Sequence, residues 1–206
     1  MTLTAFALNC TLKSSDAGPS STDKLVDELL AALAEHGVSG ESAVRVADLN
    51  IAPGVTSDAG VGDDWPSIRS QILAADIFIL GTPIWLGHPS SFAQRVLERM
   101  DALLSETDDS GRMITFDRVA LVAVVGNEDG AHLVGSQLFQ GLNDVGFTIP
   151  AAGMTYWVGE SMHKTDYQDL PSGSETTRTA TATAARNGAH LAQLLAGSNY
   201  PTEPTS

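Results

Sequence analysis

The sequence has one cysteine and no long apolar segment. With Cys10 alone, the 206 residues cannot form an intramolecular disulfide, so a reducing compartment is expected. No apolar run approaches the roughly 20 residues of a membrane-spanning helix, and no basic region precedes the first apolar run. We therefore expect a cytoplasmic protein without a membrane partner.

Basic residues are also scarce. Lysine and arginine total 11 against 25 aspartates and glutamates, which gives a formal net charge of -14. A field of this sign repels phosphate backbones, so we expect no nucleic acid partner. Hydrophobic residues make up 43% of the chain, a value that excludes wholesale disorder, collagen and coiled coil and favours an ordinary globular domain.

Three well-known motifs are missing. The sequence contains neither G-x-x-x-x-G-K-[ST] nor G-x-G-x-x-G after the first apolar run, which disfavours a P-loop hydrolase and a dinucleotide-binding fingerprint. It also lacks G-x-S-x-G, so Ser-His-Asp hydrolysis is weakly supported.

What is present is an alternation of strand and helix patterns, repeated five times. Strands are predicted at 3–9, 43–49, 76–81, 119–125 and 147–158, each followed by apolar residues at helical spacing. This pattern predicts an α/β fold, a three-layer α/β/α sandwich around a five-stranded parallel sheet, and right-handed crossovers restrict its topology. In the strand order 2-1-3-4-5, predicted strands one, three and four are adjacent at the centre of the sheet. We expect one domain over residues 1–197 and a flexible tail over 198–206.

Ligands of open parallel sheets bind beyond the carboxyl ends of the strands, where the strand order reverses. The loops after predicted strands one, three and four meet there. The first, 9–22, is rich in hydroxyls and leads into a helix N-terminus, a combination that binds anions. Its candidate phosphate ligands are Thr11, Lys13, Ser15, Ser20, Ser21 and Thr22. The alternative is that one hydroxyl of 20–22 only caps the helix.

The second loop, 81–91, offers an apolar wall to a planar heteroaromatic ligand. The wall residues are Pro83, Ile84, Trp85, Leu86 and Gly87. The alternative places the tryptophan in the core or at a subunit interface, and the serines at 90 and 91 are expected to cap the next helix.

The third loop has two glycines that allow close backbone approach. Its candidate binding residues are Asn127, Glu128, Asp129, Gly130 and His132. Helix caps are one alternative. A metal site is a weaker one, because no second cluster completes the ligand set. The histidine is either a proton donor or a packed residue.

Together these loops resemble the flavodoxin-like superfamily, specifically the NADPH-dependent FMN reductases and quinone reductase-like proteins. Residues 82–91 are similar to the segment P-[IV]-[YW]-x-G-x-x-S-[SG] of that family. The resemblance implies the strand order 2-1-3-4-5, FMN as cofactor and NADPH or NADH as electron donor. It implies a phosphate site at Thr11, Lys13, Ser15, Ser21 and Thr22, with the flavin ring between 83–87 and 127–132. Family members often begin the first loop with Gly-Ser-x-Arg, whereas Asn9-Cys10-Thr11-Leu12-Lys13 stands here.

The resemblance implies an oxidoreductase that moves a hydride from NAD(P)H through bound FMN to a small acceptor such as a quinone, a nitroaromatic or free flavin. A homodimer or homotetramer is implied in the same way. Two alternatives stay open: a flavodoxin-type one-electron carrier without NAD(P)H turnover, and a binding domain without catalysis. The irregular segment 159–173 is interpreted as a lid or a dimer contact, and Cys10 as redox-active or buried and inert.

Overall fold

Five parallel strands form the central sheet in the computed structural model, which describes residues 2–161 and 163–202. The order along the sheet is β2-β1-β4-β6-β7, so the predicted order 2-1-3-4-5 is confirmed. A short strand β3 extends the edge beside β1, and β5 pairs antiparallel with β4. The strands are β1 Leu3–Asn9, β2 Val38–Gly40, β3 Val44–Arg45, β4 Ile77–Trp85, β5 His88–Pro89, β6 Val119–Gly126 and β7 Met154–Val158.

Helices cover both faces of this sheet, as the predicted sandwich requires. They are α1 Ser21–Ala34, α2 Trp65–Ala74, α3 Ser91–Met100, α4 Ala131–Asp144 and α5 Glu175–Gly197. Apolar residues of α1 and α5 pack on one face, and those of α2, α3 and α4 pack on the other. Successive side chains of β6 alternate between these two clusters, and its first seven residues are buried. A strand buried on both faces needs an uninterrupted apolar run, which explains the sequence of β6.

Two predicted strands have different bounds in the structure. Of the predicted strand 43–49, only β3 is a strand, and residues 46–48 form a short 3-10 helix; the longer edge strand, β2, lies before the predicted range. This part of the chain lies at the sheet edge with one neighbour, β1, so an interruption breaks few hydrogen bonds. The predicted strand 147–158 begins only at Met154, because a turn at Pro150 and Gly153 precedes it.

The predicted second loop is largely regular structure. Strand β4 continues to Trp85 and forms a hairpin with β5. Leu86 and Gly87 make the turn with φ values of 51° and 76°, as two-residue hairpin turns require. Ser90 caps α3 by accepting the Ala93 N–H at 3.2 Å, as predicted.

A buried ion pair fixes α3 to the long connection that precedes α2. Arg99 is fully buried, and its guanidinium donates to Asp63 at 2.7 and 3.1 Å and to the Thr56 carbonyl at 2.8 Å. The hydrogen bonds from Arg99 hold the pKa of the Asp63 carboxyl well below its usual range. In the tail, Asn199 and Tyr200 donate to Asp117, and residues 203–206 lie outside the described part of the chain.

We expect Asp63→Asn to lower the free energy of unfolding by about 3–5 kcal/mol, because it leaves the Arg99 charge buried without its partner. Urea denaturation at neutral pH measures this loss, and Asp109→Asn, at an exposed aspartate, is the matched control. Since the folded-state pKa of Asp63 is lowered, its contribution is present above the ordinary carboxyl pKa and disappears as the pH falls through the lowered value. Equal stability of both variants at neutral pH would contradict the assignment.

Candidate functional site

A cavity of about 250 Å³ lies at the carboxyl edge of the sheet. Parts of the chain at the carboxyl ends of strands β1, β4, β6 and β7 enclose it. A cavity therefore lies at the sheet edge where the sequence predicts a ligand site. Its lining residues are Thr11, Lys13, Ser20, Ser21, Thr22, Pro83, Ile84, Trp85, Val125, Gly126, Asn127, Glu128, Trp157, Asp166 and Tyr167.

The first side of the cavity is the N-terminus of α1. Ser20 is the N-cap, and its Oγ accepts the N–H groups of Thr22 and Asp23 at 3.2 and 3.4 Å, so capping is confirmed for this serine. Thr11 is buried, and its N–H donates to Asn9 at 2.8 Å. A helix N-terminus carries a partial charge of about +0.5, which favours an anion at this end. Lys13 is the cation among the lining residues.

The second side is an apolar wall at the end of β4. Pro83, Ile84 and Trp85 line it, and the tryptophan is 54% exposed, so it belongs to the cavity mouth and not to the core. Gly126 of β6 packs directly against Ile84: a Cβ at this position would lie 2.9 Å from the isoleucine Cβ. Only a glycine therefore allows β6 and the wall to approach this closely.

The third side joins the β4–β5 hairpin to the loop after β6. The Leu86 N–H donates to the Glu128 carboxylate at 2.7 Å, which fixes the turn to this loop. Gly130, with a φ of 122°, lies against Gly87: an added Cβ would be 2.9 Å from the Gly87 Cα. The second and third predicted loops are thus in direct contact.

The fourth side is formed by the segment after β7. The Asn127 amide donates to Asp166 at 2.9 Å, and the Tyr167 ring packs on Trp157 with centroids 5.2 Å apart. The Tyr167 hydroxyl donates to the Glu28 carboxylate of α1. Burial, and then this carboxylate, raise the pKa of the tyrosine well above its usual value.

Lys24 attaches the same segment to α1. Its Nζ donates to the carbonyl of Tyr167 at 3.3 Å and to that of Leu170, and it lies 5.0 Å from the tyrosine ring centroid. The Gln168 N–H donates to the Ser21 Oγ at 3.2 Å. The described part of the predicted excursion, 159–161 and 163–173, therefore closes one side of the cavity through contacts with the helix that begins at the anion-binding end.

Six of the predicted binding residues do not line this cavity. Ser15 is held by Asp48, to which its N–H donates at 2.8 Å and its hydroxyl also donates. His132 lines a separate cavity of about 660 Å³, with its ring 5.0 Å from that of Tyr156. The other four are Leu86, Gly87 and Gly130, which lie at the contact between the second and third loops, and Asp129, which accepts the Gly130 N–H within the third loop. Their part in ligand binding stays a prediction.

A thiol and a metal site were the other candidates for chemistry. Cys10 is fully buried, and desolvation raises the pKa of its thiol far above the usual value, so it is not a thiolate near neutral pH. Within residues 2–161 and 163–202, no three or more His, Cys, Asp or Glu side chains are grouped to hold a metal ion, including Glu128, Asp129 and His132.

Five lining residues are not among the binding residues predicted from the sequence. They are Val125, Gly126, Trp157, Asp166 and Tyr167. The same rule that selected the loops after the central strands also applies to β7, the next strand along the sheet, so Trp157 at its carboxyl end was within reach of sequence reasoning. Residues 166–167 are held near α1 by side-chain contacts, which the hydrophobic periodicity of the sequence does not indicate.

The chemistry of the lining suits FMN independently of any relative. Lys13 and the hydroxyls of Ser21 and Thr22 lie at the N-terminus of α1, where an anion is favoured, and residues 83–85 form an apolar wall. A phosphate group suits the first set of residues, and the planar, apolar face of a flavin ring suits the second.

A family model described as NADPH-dependent FMN reductase matches residues 6–161. The chain belongs to this family. The resemblance seen in the sequence is therefore confirmed. The chain is a flavodoxin-like FMN-dependent flavoprotein, and NADPH is the electron donor in the family's description.

Two relatives carry names that concern modified flavins. The 8-demethyl-8-aminoriboflavin-5'-phosphate synthase of Streptomyces davaonensis is 29% identical, over 98% of this chain and 82% of that protein. The crystal structure of RosB with the bound intermediate 8-demethyl-8-formylriboflavin-5'-phosphate superposes with a TM-score of 0.85 at 29% identity, over 96% and 82% of the two chains. An NADH:FMN oxidoreductase in its apo form has a TM-score of 0.63 at 16% identity, over 99% and 97%, and this likeness concerns the fold alone.

A longer relative is the Mycobacterium bovis protein named divalent metal cation transporter MntH. It is 34% identical over 94% of this chain, but the chain spans only 29% of its length. In the part of the chain that the structure describes, no helix has the length and apolar character needed to cross a membrane.

We expect Lys24→Met to loosen the segment that closes the cavity, because it removes the hydrogen bonds to the carbonyls of Tyr167 and Leu170. The free energy of local opening should fall by about 1–3 kcal/mol, measured by amide hydrogen exchange within 163–173. Lys164→Met removes the same charge at an exposed position of that segment and is the control. Identical exchange in both variants would show that Lys24 does not hold it.

Proposed function

We propose that this protein moves a hydride from NAD(P)H, through bound FMN, to a small acceptor such as a quinone, a nitroaromatic or free flavin. The observation that carries the proposal is the cavity itself, which combines a helix N-terminus, a lysine and an exposed apolar wall within one sheet edge. FMN, when bound, supplies the hydride-accepting and hydride-donating chemistry. The protein then has to bind, orient and shield it.

Each side of the cavity has one such task. The N-terminus of α1 with Ser21, Thr22 and Lys13 binds the phosphate, and Pro83 to Trp85 support the ring. Asn127, held through its amide by Asp166, lines the cavity where we place the ring edge. Tyr167 excludes water on the side of α1.

The exposed side of Trp85 leaves room for a second planar molecule. With 54% of its surface accessible, this tryptophan is open to solvent at the mouth of the cavity. A nicotinamide ring and an acceptor can then occupy this mouth in turn. The described lining has no histidine, and its two carboxylates accept hydrogen bonds from the Leu86 N–H and the Asn127 amide, so we assign no catalytic acid or base.

The test is anaerobic titration of the FMN-loaded protein with NADPH and then NADH, followed by the visible flavin absorbance. We expect bleaching in one two-electron step, and recovery of the absorbance when a quinone is added. A bound flavin that ignores both nucleotides but takes up single electrons from dithionite would favour the one-electron carrier. Absence of FMN binding would contradict the proposal altogether.

A second candidate is that FMN is also a substrate that the protein modifies. It is supported by the TM-score of 0.85 with the RosB complex, against 0.63 with the NADH:FMN oxidoreductase. The names of that synthase and of the intermediate bound to RosB both concern the 8-position of the ring. Mass spectrometry of FMN recovered after aerobic turnover separates the candidates: an unchanged mass supports the reductase, and a changed mass supports modification.

We also propose that the protein assembles as a homodimer or homotetramer and works in the cytoplasm. Leu86 and Leu133, 88% and 51% exposed near the cavity mouth, support a subunit contact there. Light scattering of the purified protein gives the mass directly. A monomer at micromolar concentration would contradict this expectation.

A further inference from the structure

Arg45 reaches the hydroxyl-rich segment 9–22 from the neighbouring strand β3. In the parallel pairing of β3 with β1, Arg45 lies opposite Asn9, the last residue of β1. Its Nη1 donates to the carbonyls of Ser14 and Gly18 at 2.7 and 2.9 Å, and its Nε donates to Asp23 at 2.8 Å. The arginine side chain is only 10% exposed, and it is not part of the cavity lining.

The negative charge of Asp23 explains why a cation is needed beside the N-terminus of α1. It lies in the first turn of α1, three residues after the N-cap Ser20, and its carboxylate also accepts from the Asn9 amide. A negative charge there stabilises the helix but opposes a second anion bound at the same N-terminus. The Nε and Nη2 of Arg45 both donate to one oxygen of this carboxylate, Oδ2, and offset its charge.

The two carbonyl contacts act on the shape of the segment. Residues 15–17 form a 3-10 turn between Ser14 and Gly18, and Gly18 has a φ of 96°. Carbonyl oxygens repel phosphate, and Arg45 engages the ones that flank this turn. Asp48 adds a second anchor, because it accepts the Ser15 N–H at 2.8 Å.

We propose that Arg45 is a positioning residue for the flavin phosphate, which gives the cavity its preference for FMN over riboflavin without contacting the ligand. This inference rests on the proposed binding of FMN in the cavity at the sheet edge. It predicts a loss that depends on the phosphate group, whereas a general structural role predicts the same loss for both flavins.

The experiment measures the Kd of FMN and of riboflavin by quenching of flavin fluorescence, for the wild type and Arg45→Met. We expect FMN binding to weaken roughly ten- to hundredfold, the range of one lost charge-assisted contact, while riboflavin binding stays unchanged. Arg186→Met removes the same charge at an exposed site on α5 and is the control, with no change expected for either flavin. Adding Asp23→Asn to Arg45→Met should restore part of the FMN affinity, since it removes the carboxylate left without its partner.

Equal weakening of both flavins, or an unchanged ratio of the two Kd values, would overturn the inference and leave the FMN cavity in place. A wild type that binds FMN and riboflavin equally would overturn the proposed phosphate site and this inference together. If Arg45→Met does not fold, Arg45→Lys takes its place, since it keeps the charge but has one nitrogen in place of the two that donate to Asp23. For that variant, a lower preference for FMN supports the inference and an unchanged preference overturns it.

Discussion

The register between β1, β4 and β6 is the constraint on which the candidate site depends. Asn9 of β1 pairs with Gly81, and Pro83 of β4 pairs with Val125, so the segments that follow these strands start from fixed positions. The Cys10 N–H donates to the Gly81 carbonyl at 2.8 Å, and Ser90 donates to the Cys10 carbonyl at 2.6 Å. These bonds prolong the order of the sheet into the loops. A one-residue shift in the pairing of these strands would displace both Asn9 and Ile84 from the residues that they now contact.

The distribution of charge is a second constraint on the candidate site. A chain with a net charge of -14 has to attract a phosphorylated flavin, and its binding edge contains the carboxylates Glu128 and Asp166. Both accept hydrogen bonds from neighbouring N–H groups, and Asp23 nearby is paired with Arg45. Local backbone dipoles and paired side chains, rather than the overall field, therefore set the potential that the phosphate meets.

Much of this arrangement was predictable because it follows from periodicity. The uninterrupted apolar run at 119–125 identifies a central strand, and the alternation of strands and helices gives the sheet order. The hydroxyl-rich segment before α1 and the wall at 83–85 follow from position in that order. Arg45, Asp166 and Tyr167 could not be found in this way. Their importance comes from contacts between residues far apart in sequence, such as the 139 positions that separate Glu28 from Tyr167.

The attachment of Tyr167 to α1 also bears on how long a ligand stays. The segment that closes the cavity is joined to α1, at whose N-terminus we propose the phosphate site, through Lys24, Glu28 and Ser21. Displacing that segment breaks several hydrogen bonds at once, so the exchange of any molecule bound behind it is coupled to the opening of this cluster.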